Sequence, residues 1–202
     1  MPLVNGTDAV ETGTLQFLST AGQKMSVSLD GQSGDQFTYS IAARSSRRFR
    51  TGGSGSAAST GWIEISPSGS TRTPAAAGVL SAKANNVTVS ETSIASGPAA
   101  NSFRMYAELS GNFSAREARS IQTGVAISNS GSAPVTVSIE ATNLDGTLAG
   151  PATAISVPAR GQTALLLAEI QGLRLSAPFI GVLWVSAPAG IFSFSERHPG
   201  TV

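Results

Sequence analysis

Residues Val135 to Thr147 read VTVSIEATNLDGT, and the fold turns on how this stretch is read. Val135, Val137 and Ile139 alternate with Thr136, Ser138 and Glu140. Successive side chains on a strand point to opposite faces, so this is the pattern of a strand with one face buried and one wet. Asn143-Leu144-Asp145-Gly146 ends the alternation. Asp-Gly is a strong hairpin signal, because glycine tolerates the positive φ that tight turns need. Asp145 therefore reads as a turn residue rather than a functional carboxylate.

The stretch recurs. TLQFLSTAGQ (Thr14 to Gln23) matches TVSIEATNLDGT at a shift of 122. Leu15 and Phe17 take the places of Val137 and Ile139, Thr20 matches Thr142, and Gly22 reaches the turn glycine's place after a two-residue gap. SIAARS (Ser40 to Ser45) matches SVPARG (Ser156 to Gly161) at 116. GWIEIS (Gly61 to Ser66) matches GVLWVS (Gly181 to Ser186) at 120, and GVLS (Gly78 to Ser81) matches GIFS (Gly190 to Ser193) at 112. Four blocks in one order with drifting offsets are what two diverged copies of a β module leave. In this alignment Asp145 has no counterpart, since the first copy turns on glycine alone.

The totals agree with a β-rich chain. Of 202 residues, 41% are hydrophobic and only 12% charged, which excludes a disordered polymer. A net charge of +1 gives no field to draw a nucleic acid, so none is expected as a partner. The absence of cysteine excludes disulfides, thiol catalysis and thiolate metal sites, and leaves the compartment open. No signal peptide follows Met1 and no apolar run is long enough to span a membrane, so no membrane partner is expected. Strands are predicted over 13–19, 24–29, 36–43, 46–51, 61–66, 75–83 and 86–92, then 103–109, 121–129, 134–142, 152–157, 162–168, 179–186 and 190–195. ALLLAEIQGL (Ala164 to Leu173) predicts a helical turn stopped by Gly172. The module boundary falls in IASGPAANS (Ile94 to Ser102), dividing the chain into 1–98 and 99–202.

Several segments resemble tandem β-sandwich modules near the C-terminal ends of large secreted proteins of soil bacteria. They are FRMYAELSGNF, SIQTGVAISNSGSAPVTVSIEATNLDGT, VPARGQTALLLAEI and PFIGVLWVS, with LVNGTD, GTLQFLSTAGQ and YSIAARSSRRFRT resembling the preceding module of the pair. The resemblance spans nearly the whole chain. It implies an all-β fold of two tandem Ig-like antiparallel β-sandwiches and a secreted or cell-surface setting. It implies no activity and no cofactor, and no functional residue carries over. Such modules have a strand feeding into LVNPTD-like text and another after RYNERG-like text. Here only Met1 to Val4 precede Asn5, and the text ends at Val202. The first module is thus expected to lack its opening strand and the second to be short at its end. A sandwich missing a strand exposes backbone N–H and C=O groups along an edge. A homo-oligomer through edge strands is therefore expected, with Leu3 to Thr7 or Ile191 to Ser195 at the contact.

Candidate chemistry is sparse. The single histidine, His198, stands in the tail SERHPG, and the text nearest a nucleophile elbow, GGSGS (Gly52 to Ser56), lacks the second glycine. Glycoside hydrolysis needs two carboxyl groups ~5–10 Å apart. Glu64 and Glu140 lie on the non-core face of their strands, with Glu108, Glu117, Glu169 and Glu196 as further candidates, and nothing local pairs any two. Outer-face glutamates that keep the surface wet are the alternative. DGQSGD (Asp30 to Asp35) is sparser than a calcium loop and reads as a hairpin; one histidine without cysteine disfavours zinc, so no metal is expected. In RSSRRFR, alternation puts Arg44, Arg48 and Arg50 on one face and Arg47 with Phe49 on the other. Those three arginines suit an anionic ligand, or they guard an edge strand against aggregation. Ile63 and Ile65 take the core face of their strand, as Leu183 and Val185 do of theirs, which turns Trp62 and Trp184 outward. Exposed indoles stack on the apolar faces of sugars. Alternatively each packs under a loop, a neighbouring module or another subunit.

Three functions follow in order. The first is a non-enzymatic extracellular interaction or structural module serving adhesion, spacing or assembly. The second is a carbohydrate-binding accessory module, with a polysaccharide partner held by Trp62, Trp184, Glu64 and Glu140. The third is a small polysaccharide-active hydrolase with a carboxylate pair.

Overall fold

Alternation makes nearly every element of this chain a strand. A computed structural model describes the backbone of residues 1–52, 60–84, 87–112, 115, 117 and 119–199, and the side chains of these except 80–84, 87–92, 189 and 192–199. The chain divides into two compact units: Met1–Ser19 with Gln23–Gly97, and Thr20–Gly22 with Pro98–Val202. The first carries β1 (Pro2–Val4), β2 (Glu11–Ser19), β3 (Val27–Leu29), β4 (Gln32–Gly34), β5 (Gln36–Ile41), β6 (Ser46–Arg48), β7 (Thr51–Gly52), β8 (Gly61–Pro67), β9 (Ala75–Ala84) and β10 (Val87–Ala95). The second carries β11 (Ala100–Ser110), β12 (Ile121–Asn129), β13 (Val135–Asn143), β14 (Thr153–Val157), β15 (Gln162–Leu166) and β16 (Phe179–Pro199). The fold is all-β and its sheets are antiparallel.

In the first unit β2 is the middle of a sheet ordered β5-β2-β8. Glu11, Gly13, Leu15 and Phe17 point inward from it, and Thr12, Thr14 and Gln16 are half-buried on the other face. A second sheet runs β10-β9-β1-β6, and a small one β4-β3-β7. Asp30 and Gly31, at φ 49° and 84°, make the β3–β4 turn; two positive φ values in a two-residue loop define type I′. Leu3, Leu15, Phe17, Leu29, Ile41 and Phe49 form the core, with Ile63 and Ile65 partly buried against it.

In the second unit the order is β14-β13-β16-β11-β12-β15. The 21-residue β16 serves twice. Residues Phe179 to Ser186 lie between β13 and β11, and Ile191 to Pro199 pair with β12. The two strands predicted over 179–186 and 190–195 are thus one. Val137, Ile139, Leu183, Val185 and Ile191 are shut off from solvent in its core. The helical turn predicted before Gly172 is a single 3-10 turn, Leu167–Glu169, and Gly172 has φ 89°. The strand predicted over 46–51 is broken into β6 and β7.

The two units repeat one another in detail. Asn5 is buried; its Nδ2 donates to the carbonyls of Ala9, Ile41 and Ala42 at 2.7, 3.1 and 3.0 Å, and its Oδ1 accepts from Thr7 N–H at 2.8 Å. Asn129 is buried; its Nδ2 donates to Ala133, Val157 and Pro158 at 2.8, 3.5 and 3.1 Å, and its Oδ1 accepts from Gly131 N–H at 2.9 Å. Arg44 and Arg160 both sit in the left-handed region, at φ 53° and 52°, their N–H groups bonded to Thr7 and Gly131 carbonyls. The turn bonds Ser19 N–H to Gln23 and Asn143 N–H to Thr147 correspond as well. These pairs place β2 on β13 at a shift of 124, not 122. Leu15 corresponds to Ile139 and Phe17 to Ala141, Ala21 takes the place of Asp145, and no gap precedes Gly22. A slip of two residues keeps every side chain on its own face, so alternation alone does not distinguish the two shifts.

Candidate functional site

The outer face of β13, β16 and β11 gathers polar and aromatic side chains. Antiparallel pairing sets Glu140 of β13 and Arg104 of β11 directly opposite Trp184 of β16, one on either side. Directly opposed residues share a face, so the three form a row across the sheet. The Arg104 guanidinium lies 5.4 Å from the Trp184 ring centroid, within cation–π range. Trp184 remains 40% exposed. The next row is Thr142, Val182 and Tyr106, with Tyr106 53% exposed and its hydroxyl donating to Glu108 Oε2 at 3.1 Å. Two aromatic rings, a guanidinium and two carboxyl groups thus sit on neighbouring cross-strand positions. The core side of the same strands, with Leu183 and Val185 inward, fixes this face outward.

Trp62 and Glu64 do not build the same arrangement. Trp62 is half-buried on β8, opposite the buried Leu18 of β2, and Glu64 is half-buried opposite Gln16. By the repeat, Glu64 and not Trp62 takes the position of Trp184. The two tryptophans are therefore not equivalent.

The arginines are dispersed. Arg44 stands in a left-handed turn before β6, where its guanidinium pairs with the exposed Asp8, so strand alternation does not run through it. Arg48 ends β6 opposite Pro2, and Arg50 follows it with its N–H bonded to Asp30 Oδ1 at 2.8 Å. Arg47 stacks on Phe49, 4.6 Å from the ring centroid. The structure does not bring Arg44 into line with Arg48 and Arg50.

The remaining acids have local tasks. Asp145 Oδ1 accepts from the Thr147 hydroxyl at 2.6 Å and its N–H at 2.9 Å, and these bonds hold its carboxyl below the usual range. Glu117 accepts from Asn112 N–H and Glu169 from Leu166 N–H. Among the described residues no three His, Cys, Asp or Glu side chains cluster as a metal site would need. A cavity of about 550 Å³ in the first unit has Asp30 as its single acid, beside Arg47 and Phe49. The loop after Gly52 and the side chains of Glu196 and His198 lie outside the described residues.

Sequence reasoning missed Arg104 and Tyr106, and also Glu11 and Tyr39. Glu11 takes the place of the buried Val135, and its Oε2 is buried without a hydrogen-bond partner, as is the Tyr39 hydroxyl. Burial, and then the charge of Glu11, push the Tyr39 phenol above its ordinary range. The signal was present, since Glu11 stands in phase with Gly13, Leu15 and Phe17. No helix of the described residues is long and apolar enough to cross a membrane. No family model, no curated protein and no solved structure matches the chain.

Proposed function

We propose that this chain is a non-enzymatic, extracellular interaction module built as two tandem Ig-like β-sandwiches, and that it holds its ligand on the outer face of β13, β16 and β11. The observation that carries this reading is the row Glu140, Trp184, Arg104 with Tyr106 beside it. Large exposed aromatic area at the centre of a polar surface marks an interaction site rather than a neutral one. The exposed rings favour a ligand with apolar faces. A polysaccharide fits that description: its ring faces stack on Trp184 and Tyr106, and its hydroxyls meet the carboxylates of Glu140 and Glu108 and the guanidinium of Arg104. This puts the carbohydrate-binding reading on Trp184 and Glu140, with Trp62 and Glu64 left out. The hydrolase reading finds less support, because the cavity in the first unit offers a single acid.

A glycan array tests the proposal. Trp184→Ala and Tyr106→Ala are each expected to remove a signal that Trp62→Ala leaves in place. Binding that survives Trp184→Ala, or no binding on an array spanning bacterial, fungal and plant polysaccharides, contradicts it.

A further inference from the structure

Every large apolar side chain that the second unit exposes, among the described residues, gathers at one face. Tyr106, Trp184 and Ile180 point outward from β11 and β16, with Ile180 in phase with Trp184 and opposite Glu108. Leu148 is bridged to Thr142 of β13, directly beside Val182 of β16, and Leu144 stands in the turn between Thr142 and Leu148. Leu144 and Leu148 are 70% and 64% exposed. Leu144, Leu148 and Ile180 offer a sugar neither an aromatic face nor a hydrogen bond, and contiguous apolar area of this kind marks a surface that another protein covers. The charges on the face are balanced about its centre. Glu140 and Arg104 stand one strand to either side of Trp184, each about 5 Å away at the backbone and opposite in sign. Arg104 lies against the indole, and neither it nor Glu140 has an ion pair among the described residues.

We propose that this face pairs with the same face of a second copy of the chain, and that the second copy competes there with the ligand. A two-fold axis lying in the face along β16 exchanges its two flanks, so Glu140 of one copy stands over Arg104 of the other and the ion pair is made twice. Packed sheets keep their strands within about 30° of each other, which holds these pairs in register near the axis. Trp184 meets its own equivalent there, and the apolar side chains of the face are shut off from water. The opposed charges set the register, and the apolar area drives the association. The surface is far smaller than the roughly 20–30 residues a side of a standard interface, so the pairing is weak and reversible. The inference goes beyond the ligand reading only in adding this competition. The terminal strands are engaged elsewhere: Leu3 and Val4 lie between β6 and β9, and Ile191 to Ser195 pair with β12.

Sedimentation of the intact 202-residue chain over a concentration series, with no glycan present, is the test. A reversible monomer–dimer equilibrium is expected. Arg104→Glu sets two carboxylates face to face at both contacts, and Glu140→Arg sets two guanidinium groups there; each is expected to weaken the dimer about tenfold or more, because like charges opposed across an interface repel. The chain carrying both substitutions restores the opposite pairs and is expected to dimerise again, which separates a broken contact from a damaged fold. Acrylamide quenching of Trp184 in the Trp62→Phe variant should fall as the dimer forms. A monomer at every concentration overturns the proposal. So does a dimer that both single variants leave intact, because it then uses another surface, and so does a double variant that stays monomeric. Glycan binding by a chain that never dimerises would leave the ligand reading standing and this one refuted; a dimer that the double variant rescues, in a chain that binds no glycan, would do the reverse.

Discussion

Ile63 and Leu183 hold matching positions in the two units, and only Leu183 is sealed from solvent. Each follows by two residues a glycine, Gly61 or Gly181, at which a Cβ would collide with the facing carbonyl, of Leu18 or Thr142. The strands β2 and β13 therefore approach in the same way, and the difference lies on the far side, where β11 covers β16. Leu183→Ala is expected to cost ~2–5 kcal/mol, the usual range for a fully buried leucine. Ile63→Ala should cost less than half as much. Denaturant melts check this, and equal costs would mean that the β8 side is as well covered as the β16 side.

Asn5 and Asn129 donate to the buried carbonyls of Ile41 and Val157 and tie down the chain around them. Truncation removes these donors, and each hydrogen bond lost costs about 0.5–1.5 kcal/mol. Asn5→Ala should lower the stability of the first unit and Asn129→Ala that of the second. Proteolysis or exchange mapped along the chain distinguishes the two. Loosening of the same unit by both variants would contradict the duplication.

Asp145 offers a pH test of the turn. Its carboxyl is held low first by the Thr147 hydroxyl and then by the Thr147 N–H. A folded-state pKa below the unfolded one adds stability that is present above the unfolded value and lost as pH falls through the folded one. Carbon-detected NMR titration should find Asp145 with a midpoint below the ordinary aspartate value. Thr147→Val should move that midpoint upward and leave ligand binding unchanged, and an unmoved midpoint would refute the assignment.

Tyr39 behaves in the opposite sense. Its phenol is raised by burial and then by Glu11. A raised folded pKa means stability that is present below the unfolded value and lost as pH climbs toward the folded one. Spectrophotometric titration should show one tyrosine ionising later than the other. Glu11→Gln should bring it part of the way back, because the burial contribution persists. A full return would make charge, not burial, the main cause.

The sequence made the strands legible because inward and outward residues alternate cleanly, as in Val135 to Ile139. The repeat was legible too, but its register was not, since slips of 122 and 124 preserve the same faces. The turn that leads into β6 was hidden because Arg44 takes a left-handed conformation that no local preference for arginine announces. Trp184 and Glu140 could each be read as outward. That they are direct neighbours, and that Arg104 and Tyr106 complete the surface, depends on pairing between distant strands, which local alternation does not encode.

Trp184 is the centre of the proposed ligand face, and the chain has just two tryptophans, so each can be followed alone. Trp62→Phe leaves Trp184 as the single indole, and Trp184→Phe leaves Trp62. Both variants are titrated with cello-, xylo-, manno- and chito-oligosaccharides while tryptophan emission is recorded. At least one series is expected to blue-shift and saturate the emission of the Trp62→Phe variant, and no series to shift that of the Trp184→Phe variant. A shift confined to the Trp184→Phe variant, or no shift in either, would contradict it.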